Sequence, residues 1–303
     1  MSTIAVLGSA NMDLVVRQSR LPRPGETMFG ASFGTVPGGK GLNQAVAAAR
    51  AGGEVAFLGA VGRDAFGAQL RERMRADGID VSRLVDADDP SGTAHISVLD
   101  GGENAIVVVP GANEALTAFA EADRRALVGS RYLMTQFERP LPLIAEALEV
   151  ARALRMVTVL TPAPVLPVDA ELLDLVDILV PNALEARELS GIDDEVDATR
   201  ALSRHAATVV MTRGERGALV ARDGEIVTEV PARSVRPVDT TAAGDTFVGV
   251  LVARLSLGAL LPDALRSATI GASIAVTREG ASTSMPSWDE IEEISAAAGA
   301  APG

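Results

Sequence analysis

Cysteine is absent from this 303-residue chain, which excludes disulfides, thiolate metal sites and a cysteine nucleophile. Histidine is scarce. The two present, His95 and His205, have no partners at metal-ligand spacing, which argues against a zinc hydrolase. His95 falls in an alternating, strand-like stretch and His205 in a charged helical one, so both read as structural or solvent-facing. Gly30-Ala-Ser-Phe-Gly34 fits G-x-S-x-G as a string, but it lies in a strand-like stretch and opens no helix, so it is not the strand-to-helix elbow of a serine nucleophile. Aromatics make up 3%, so the core must come from Ala, Val, Leu and Ile. Basic residues are outnumbered, 27 Lys+Arg against 40 Asp+Glu, for a net charge of −13. That field disfavours broad contact with nucleic acid or anionic membranes, though a local loop can still hold an anion. No apolar run reaches the length of a membrane span. The first residues lack the basic flank and length of a signal peptide. A cytoplasmic protein is expected.

Hydrophobic residues make up 48%, enough for a single domain over 1–303. Short apolar runs at 4–7, 55–58, 131–134, 157–160, 177–180 and 208–211 alternate with helical stretches at 45–51, 64–76, 140–154, 184–190 and 246–257. This pattern predicts a Rossmann-like α/β fold, a central, mostly parallel sheet flanked by helices. Two β-rich patches interrupt it. Residues 14–16 and 27–33 are strand-like around a Pro/Gly turn, and 94–99 with 105–109 read as a hairpin. Together they predict a small β-sheet lid over 14–36 and 92–109, serving as a cover, a dimer surface or both; the alternative is an edge extension of the main sheet. The tail, 295–303, reads as disordered.

The chemistry concentrates at Asp239-Thr-Thr-Ala-Ala-Gly-Asp245-Thr-Phe247. Small residues open an apolar helix whose first N–H groups are free to hold an anion. Asp245 beside them can take a proton from an attacking hydroxyl; the plain alternative is a helix cap. Gly38-Gly39-Lys40-Gly41-Leu42-Asn43-Gln44 is a second glycine loop running into a helix; it is not a Walker A loop, because Gly41 stands where the Ser or Thr after the Lys is required. Nor does the first strand lead into G-x-G-x-x-G, which disfavours a dinucleotide enzyme. Asn11, Asp13, Glu138, Asn182, Glu185, Thr212, Gly214 and Asp245 follow predicted strands or open helices, so a parallel sheet would place them along one crevice. Asn182 and Glu185 are spaced to share a helix face and organise Mg²⁺ through water, or simply to form a capping box.

These segments resemble the two signatures of the ribokinase-like (PfkB-type) carbohydrate kinases. The resemblance runs from about Ile4 to Trp288 and includes Pro24-Gly-Glu-Thr27, Pro110-Gly-Ala-Asn113 and Thr212-Arg-Gly-Glu-Arg-Gly217. It implies ATP-dependent transfer of phosphate to the 5-hydroxyl of ribose or a related acceptor. Asn11, Asp13, Gly39, Lys40, Asn43, Glu138 and Asp245 would bind the sugar. Asp245 would be the base, and the amides of Ala242, Ala243 and Gly244 the anion hole. Asn182, Thr212, Arg213, Gly214, Glu215, Arg216, Gly217, Gly244 and Thr269 would meet ATP, with Asn182 and Glu185 organising Mg²⁺. Thr269 stands where the family often has a histidine. Asp239, Thr241, Ala275, Arg278, Gly280 and Ser284 match a K⁺ site, and a homodimer through the lid sheet is implied.

Overall fold

A computed structural model describes residues 3–101 and 103–299. In chain order the strands are β1 (Ile4–Leu7), β2 (Asn11–Gln18), β3 (Ser32–Gly38), β4 (Val55–Gly62), β5 (Asp80–Ala87), β6 (Gly92–Leu99), β7 (Asn104–Val109), β8 (Tyr132–Gln136), β9 (Val157–Thr161), β10 (Ile178–Leu179), β11 (Thr208–Thr212), β12 (Ala218–Arg222) and β13 (Glu225–Val230). The α-helices are α1 (Lys40–Arg50), α2 (Ala65–Ala76), α3 (Glu121–Leu127), α4 (Leu141–Ala153), α5 (Ala170–Leu173), α6 (Ala183–Ser190), α7 (Glu195–Leu202), α8 (Ala243–Ser256), α9 (Leu261–Ala275) and α10 (Trp288–Gly299).

A nine-stranded sheet runs β13-β12-β11-β10-β9-β8-β1-β4-β5. All neighbours from β11 to β5 are parallel, and β12 and β13 add an antiparallel edge. Successive side chains of a strand face opposite sides. In β1, Ile4 and Val6 enter one core with Leu42, Val248 and Leu251, while Ala5 and Leu7 enter the other with Leu133, Ile144 and Leu160. Burial on both faces explains why these strands read as unbroken apolar runs. From β1 the chain fills one side through β4 and β5, then returns to β8 on the other. The strand order therefore reverses at β1 and β8, and a crevice opens beyond their carboxyl ends.

A second sheet, β3-β2-β6-β7, stands apart from the first, as expected. Only 8–10 separate β1 from β2, so this sheet grows out of the crevice. Both faces of β7 are bare: Ile106 is 52% and Val107, on the opposite face, 66% exposed.

Several boundaries differ from expectation. The strand expected at 27–33 is β3, displaced to Ser32–Gly38 and paired Arg17↔Ser32 through Asn11↔Gly38. Pro37 lies within β3, which is an edge strand, where a missing N–H is tolerated. The second sheet thus begins at Asn11 and reaches Gly38, beyond the expected 14–36. Helix α1 starts at Lys40, five residues before the alanine run. His205 lies past the end of α7, its Nδ1 3.0 Å from Asp174 Oδ1. Strand β5 escaped the apolar pattern because it is a half-exposed edge with Arg83 and Asp86 in it. Helix α10 continues to Gly299, so 295–299 is helical and not frayed; 300–303 lie outside the described residues.

Candidate active site

The β1–β2 loop and the start of α1 press together through glycines. A Cβ at Gly38 would lie 2.3 Å from Asp13 Oδ2, so only glycine leaves room for that carboxylate. Gly39 has φ +91 and packs on the Asn11 amide. Ser9 Oγ donates to Glu138 and accepts the Gly41 N–H at 3.2 Å, and the Lys40 N–H donates to Glu138 Oε2 at 3.0 Å. Asn11 is buried, its Oδ1 accepting from Asn113 Nδ2 at 2.7 Å. The carboxyl ends of β1 and β8 therefore bring Asp13, Glu138 and the 39–43 backbone to one place.

Helix α8 closes the other side. Its sequence is apolar around the whole circumference, matching its deep burial. Gly249 lets α1 cross closely: a Cβ there would be 2.6 Å from Gln44 O. Through this crossing Asn43 Nδ2 donates to Asp245 Oδ2 and Gln44 Nε2 to Asp245 Oδ1, each at 3.1 Å. The turn into α8 is made by Ala242 with φ 57, a left-handed conformation that costs a non-glycine residue about 1–2 kcal/mol. The Ala243 N–H reaches Thr240 O at 3.3 Å, while those of Ala242, Gly244 and Asp245 have no partner among the described residues. They border a pocket of about 180 Å³, lined also by Lys40, Asn182, Glu185 and Thr212.

A Cβ on Gly244 would meet nothing within 4 Å. Gly244→Ala should therefore keep the melting temperature, or raise it, because alanine favours the helix. The added methyl stands where an anion would approach the backbone. Turnover should fall about tenfold or more, as when one oxyanion donor is weakened. Unchanged turnover would contradict the anion-hole assignment.

Five ionisable groups meet here, Asp13, Lys40, Glu138, Glu185 and Asp245. Burial pushes Asp245 up from the ordinary carboxylate range; Lys40 and the amides of Gln44 and Asn43 pull the other way, and Glu138 adds to the rise. Asp13 is pushed up to about 7 by burial and by the charges of Glu138 and Asp245. Burial pushes the Lys40 ammonium down, but Asp245, Glu138 and Glu185 outweigh it and its pKa is raised. Glu185 is raised, chiefly by burial.

Asn182 and Glu185 form a capping box on α6: Asn182 Oδ1 accepts the Glu185 N–H at 2.9 Å and Glu185 Oε2 accepts the Asn182 N–H at 2.8 Å. Both also line the pocket, so capping and ligand contact are compatible. No group of three or more His, Cys, Asp or Glu able to hold a metal occurs among the described residues. Two carboxylates line the pocket, Glu185 and Asp245, a sparse donor set that suits Mg²⁺ carried by phosphates and water.

Of the 212–217 loop, only Thr212 lines this pocket. Gly214 and Gly217 turn the chain at φ +57 and +86. Arg216 pairs with Glu195 at 2.6 Å, and Arg213 with Glu229; Glu215 is exposed. Thr269 is buried on α9, its hydroxyl donating to Leu265 O at 2.9 Å, and it does not line the pocket. Of the expected cation residues, Asp239, Thr241 and Gly280 are joined to one another, while Arg278 and Ser284 bond within their own loop. Asp239 accepts the Thr241 N–H at 2.9 Å and the Gly280 N–H at 3.0 Å, the Arg278 N–H donates to Ala275 O, and Ser284 Oγ donates to Ala281 O. Burial disfavours the charge on Asp239, but these N–H donors and the Thr241 hydroxyl outweigh it and hold its pKa low.

A buried carboxylate, a free helix end and a polar crevice at a strand-order reversal are parts a phosphoryl-transfer site can use. Residues 1–288 match the pfkB family carbohydrate kinase. The chain belongs to this family. A ribokinase from Bacillus subtilis (strain 168) is 38% identical over 296 residues, covering 97% of this chain and 99% of that one. A ribokinase structure from Thermotoga maritima superposes with a TM-score of 0.89 at 32% identity, covering 98% and 100%. An Arabidopsis thaliana ribokinase complexed with ribose and ATP does so with 0.91 at 28% identity, covering 97% and 98%. In this carbohydrate kinase the sequence reading passed over Ser9, Gln44, Gln136, Thr161 and Thr240. Gln44 and Thr240 lie inside the 38–44 and 239–247 segments, Ser9 follows the first strand, and Gln136 and Thr161 end buried strands, where polar side chains are a signal in themselves.

Proposed function

We propose that the protein transfers the γ-phosphoryl group of ATP to the 5-hydroxyl of D-ribose. The carrying observation is Asp245, a buried carboxylate in the first turn of α8 beside unpartnered amides. The sugar would sit between β2 and α1, held by Asn11, Asp13, the Gly39 and Lys40 segment, Asn43 and Glu138. Asn43 supports this: its Oδ1 is buried without a partner, and a sugar hydroxyl would satisfy it. Asp245 accepts the proton of the attacking hydroxyl as the new O–P bond forms and the bond to ADP breaks. The amides of Ala242, Ala243 and Gly244, with Lys40, balance the charge on the moving phosphoryl group. Asn182, Thr212 to Gly217 and Thr269 form the nucleotide side. Asn182 and Glu185 would hold Mg²⁺ through water, and the ion when bound would supply further charge neutralisation. The second sheet acts as a lid that excludes water, and Ala94, Ile96 and Ile106 on it would bear on acceptor choice. Its bare β7 face fits a second copy of the chain. An ATP-dependent sugar kinase of this kind belongs in the cytoplasm.

The Asp239, Thr241, Ala275, Arg278, Gly280 and Ser284 loops are read as a K⁺ site bracing the anion hole. Replacing KCl by tetramethylammonium chloride at equal ionic strength should lower turnover several-fold. Asp239→Ala should remove the difference; equal rates in both salts would refute the assignment.

The acceptor is tested by ADP release with Mg-ATP across ribose, deoxyribose, other pentoses, keto-sugars and nucleosides. Ribose should lead in kcat/KM. A different leader would keep the mechanism and move the specificity.

A further inference from the structure

Behind Asp245 runs a buried chain of amides that the proposed mechanism leaves unused. Gln44 and Gln136 are both 0% exposed. Gln44 Nε2 donates to Asp245 Oδ1 and to Thr161 Oγ1, each at 3.1 Å. Its Oε1 accepts from Gln136 Nε2 at 2.7 Å. The polarity is forced. Turned over, Gln44 would aim its oxygen at a carboxylate, and turned over, Gln136 would face oxygen to oxygen. Holding this orientation leaves Gln136 Oε1 buried without a partner. A buried polar atom left unsatisfied in a packed core calls for a compensating role.

The geometry points to Gln44, its amide oriented by Gln136, as a positioning residue for the Asp245 base. Gln44 pins Oδ1 and Asn43 pins Oδ2, so the carboxylate plane is set by two donors on one turn of α1. Gln136 ends β8 two residues before Glu138, which ties the base to the strand carrying a sugar-binding group. Donation to the ionised carboxylate also favours that form. This inference rests on the proposed role of Asp245 as base.

The other charged groups facing Asp245 are Lys40 on α1, Glu138 beyond β8, Glu185 on α6 and Asp13 on β2. Both glutamine variants leave them in place. The test compares wild type, Gln44→Leu, Gln136→Leu and Asp245→Asn by melting and by kcat and KM across pH. Gln44→Leu should lower kcat about tenfold and move the acid limb of kcat/KM about one pH unit upward, the equivalence of one pKa unit with a factor of ten. Gln136→Leu should move it the same way by less, and it carries the test should Gln44→Leu not fold. An acid limb unmoved in the folded variants, with rate and melting temperature simply falling together, would overturn the relay while an inactive Asp245→Asn leaves the base intact. Retained turnover in Asp245→Asn would overturn the base itself.

Discussion

Asp245→Asn is expected to lose acceptor-dependent turnover by about 10²–10⁴-fold, the usual contribution of a general base, while melting no lower than wild type at neutral pH. The two effects have one cause. Burial raises the Asp245 pKa above its unfolded value, so the folded state holds that proton more tightly. Its contribution to stability is present at low pH, below the unfolded pKa of about 3.9, and is lost as pH rises through the folded value. Once ionised, the carboxylate is therefore a strain on the fold that Asn removes. The difference in melting temperature should shrink as the pH is lowered. Glu138 still faces Lys40 in the variant, so the ammonium keeps a partner. Kinetics and melting curves over pH 4–8, about that range being set by the carboxylate values, check both halves. A variant that is inactive only because it melts earlier would contradict this account.

Gly41→Ala should do the reverse of Gly244→Ala, although both add one methyl to one end of a helix. At Gly41 a Cβ would lie 2.5 Å from Gly8 Cα and 2.5 Å from the Ser9 nitrogen. Both are backbone atoms at the end of β1, and neither can move without shifting the central strand. Overpacking of this kind costs about 1–3 kcal/mol, and the melting temperature should drop by several degrees. The folded fraction should also bind sugar poorly. Forcing α1 away stretches the bonds from the Lys40 and Gly41 amides to Glu138 and Ser9. A displacement of about 1 Å in such a site can cost a hundredfold. Differential scanning and sugar KM, measured beside Gly244→Ala, separate the two. Equal melting temperatures for both variants would show that the α1 contact is softer than its geometry implies.

Much of this site was legible because its chemistry is local. The glycine spacing at 38–41, the small residues before Asp245 and the polar residues closing apolar strands each state their role within a few positions. The parallel sheet followed from apolar runs separated by helical stretches. What escaped was set by contacts distant in sequence. Edge strands β5 and β13 carry charge and lack a clean period, since one side meets solvent. Helix α1 begins at Lys40 because Gly39 turns and Gly41 packs on Gly8, which no helix propensity records. The ion pairs of the loop arginines, Arg213 with Glu229 and Arg216 with Glu195, join separate elements and could not be read from the loop itself. Gln44 and Gln136 are 92 positions apart, and only the fold pairs them.

The central claim is that Asp245 and the start of α8 direct phosphate onto the acceptor's 5-hydroxyl. Phosphorus NMR of the product formed from D-ribose and Mg-ATP tests it most directly, read with ADP release in the presence and absence of sugar. The account predicts ADP release that depends on ribose and a single monoester whose phosphorus couples to the C5 protons. Phosphate on another carbon, or ADP released equally without sugar, would contradict it.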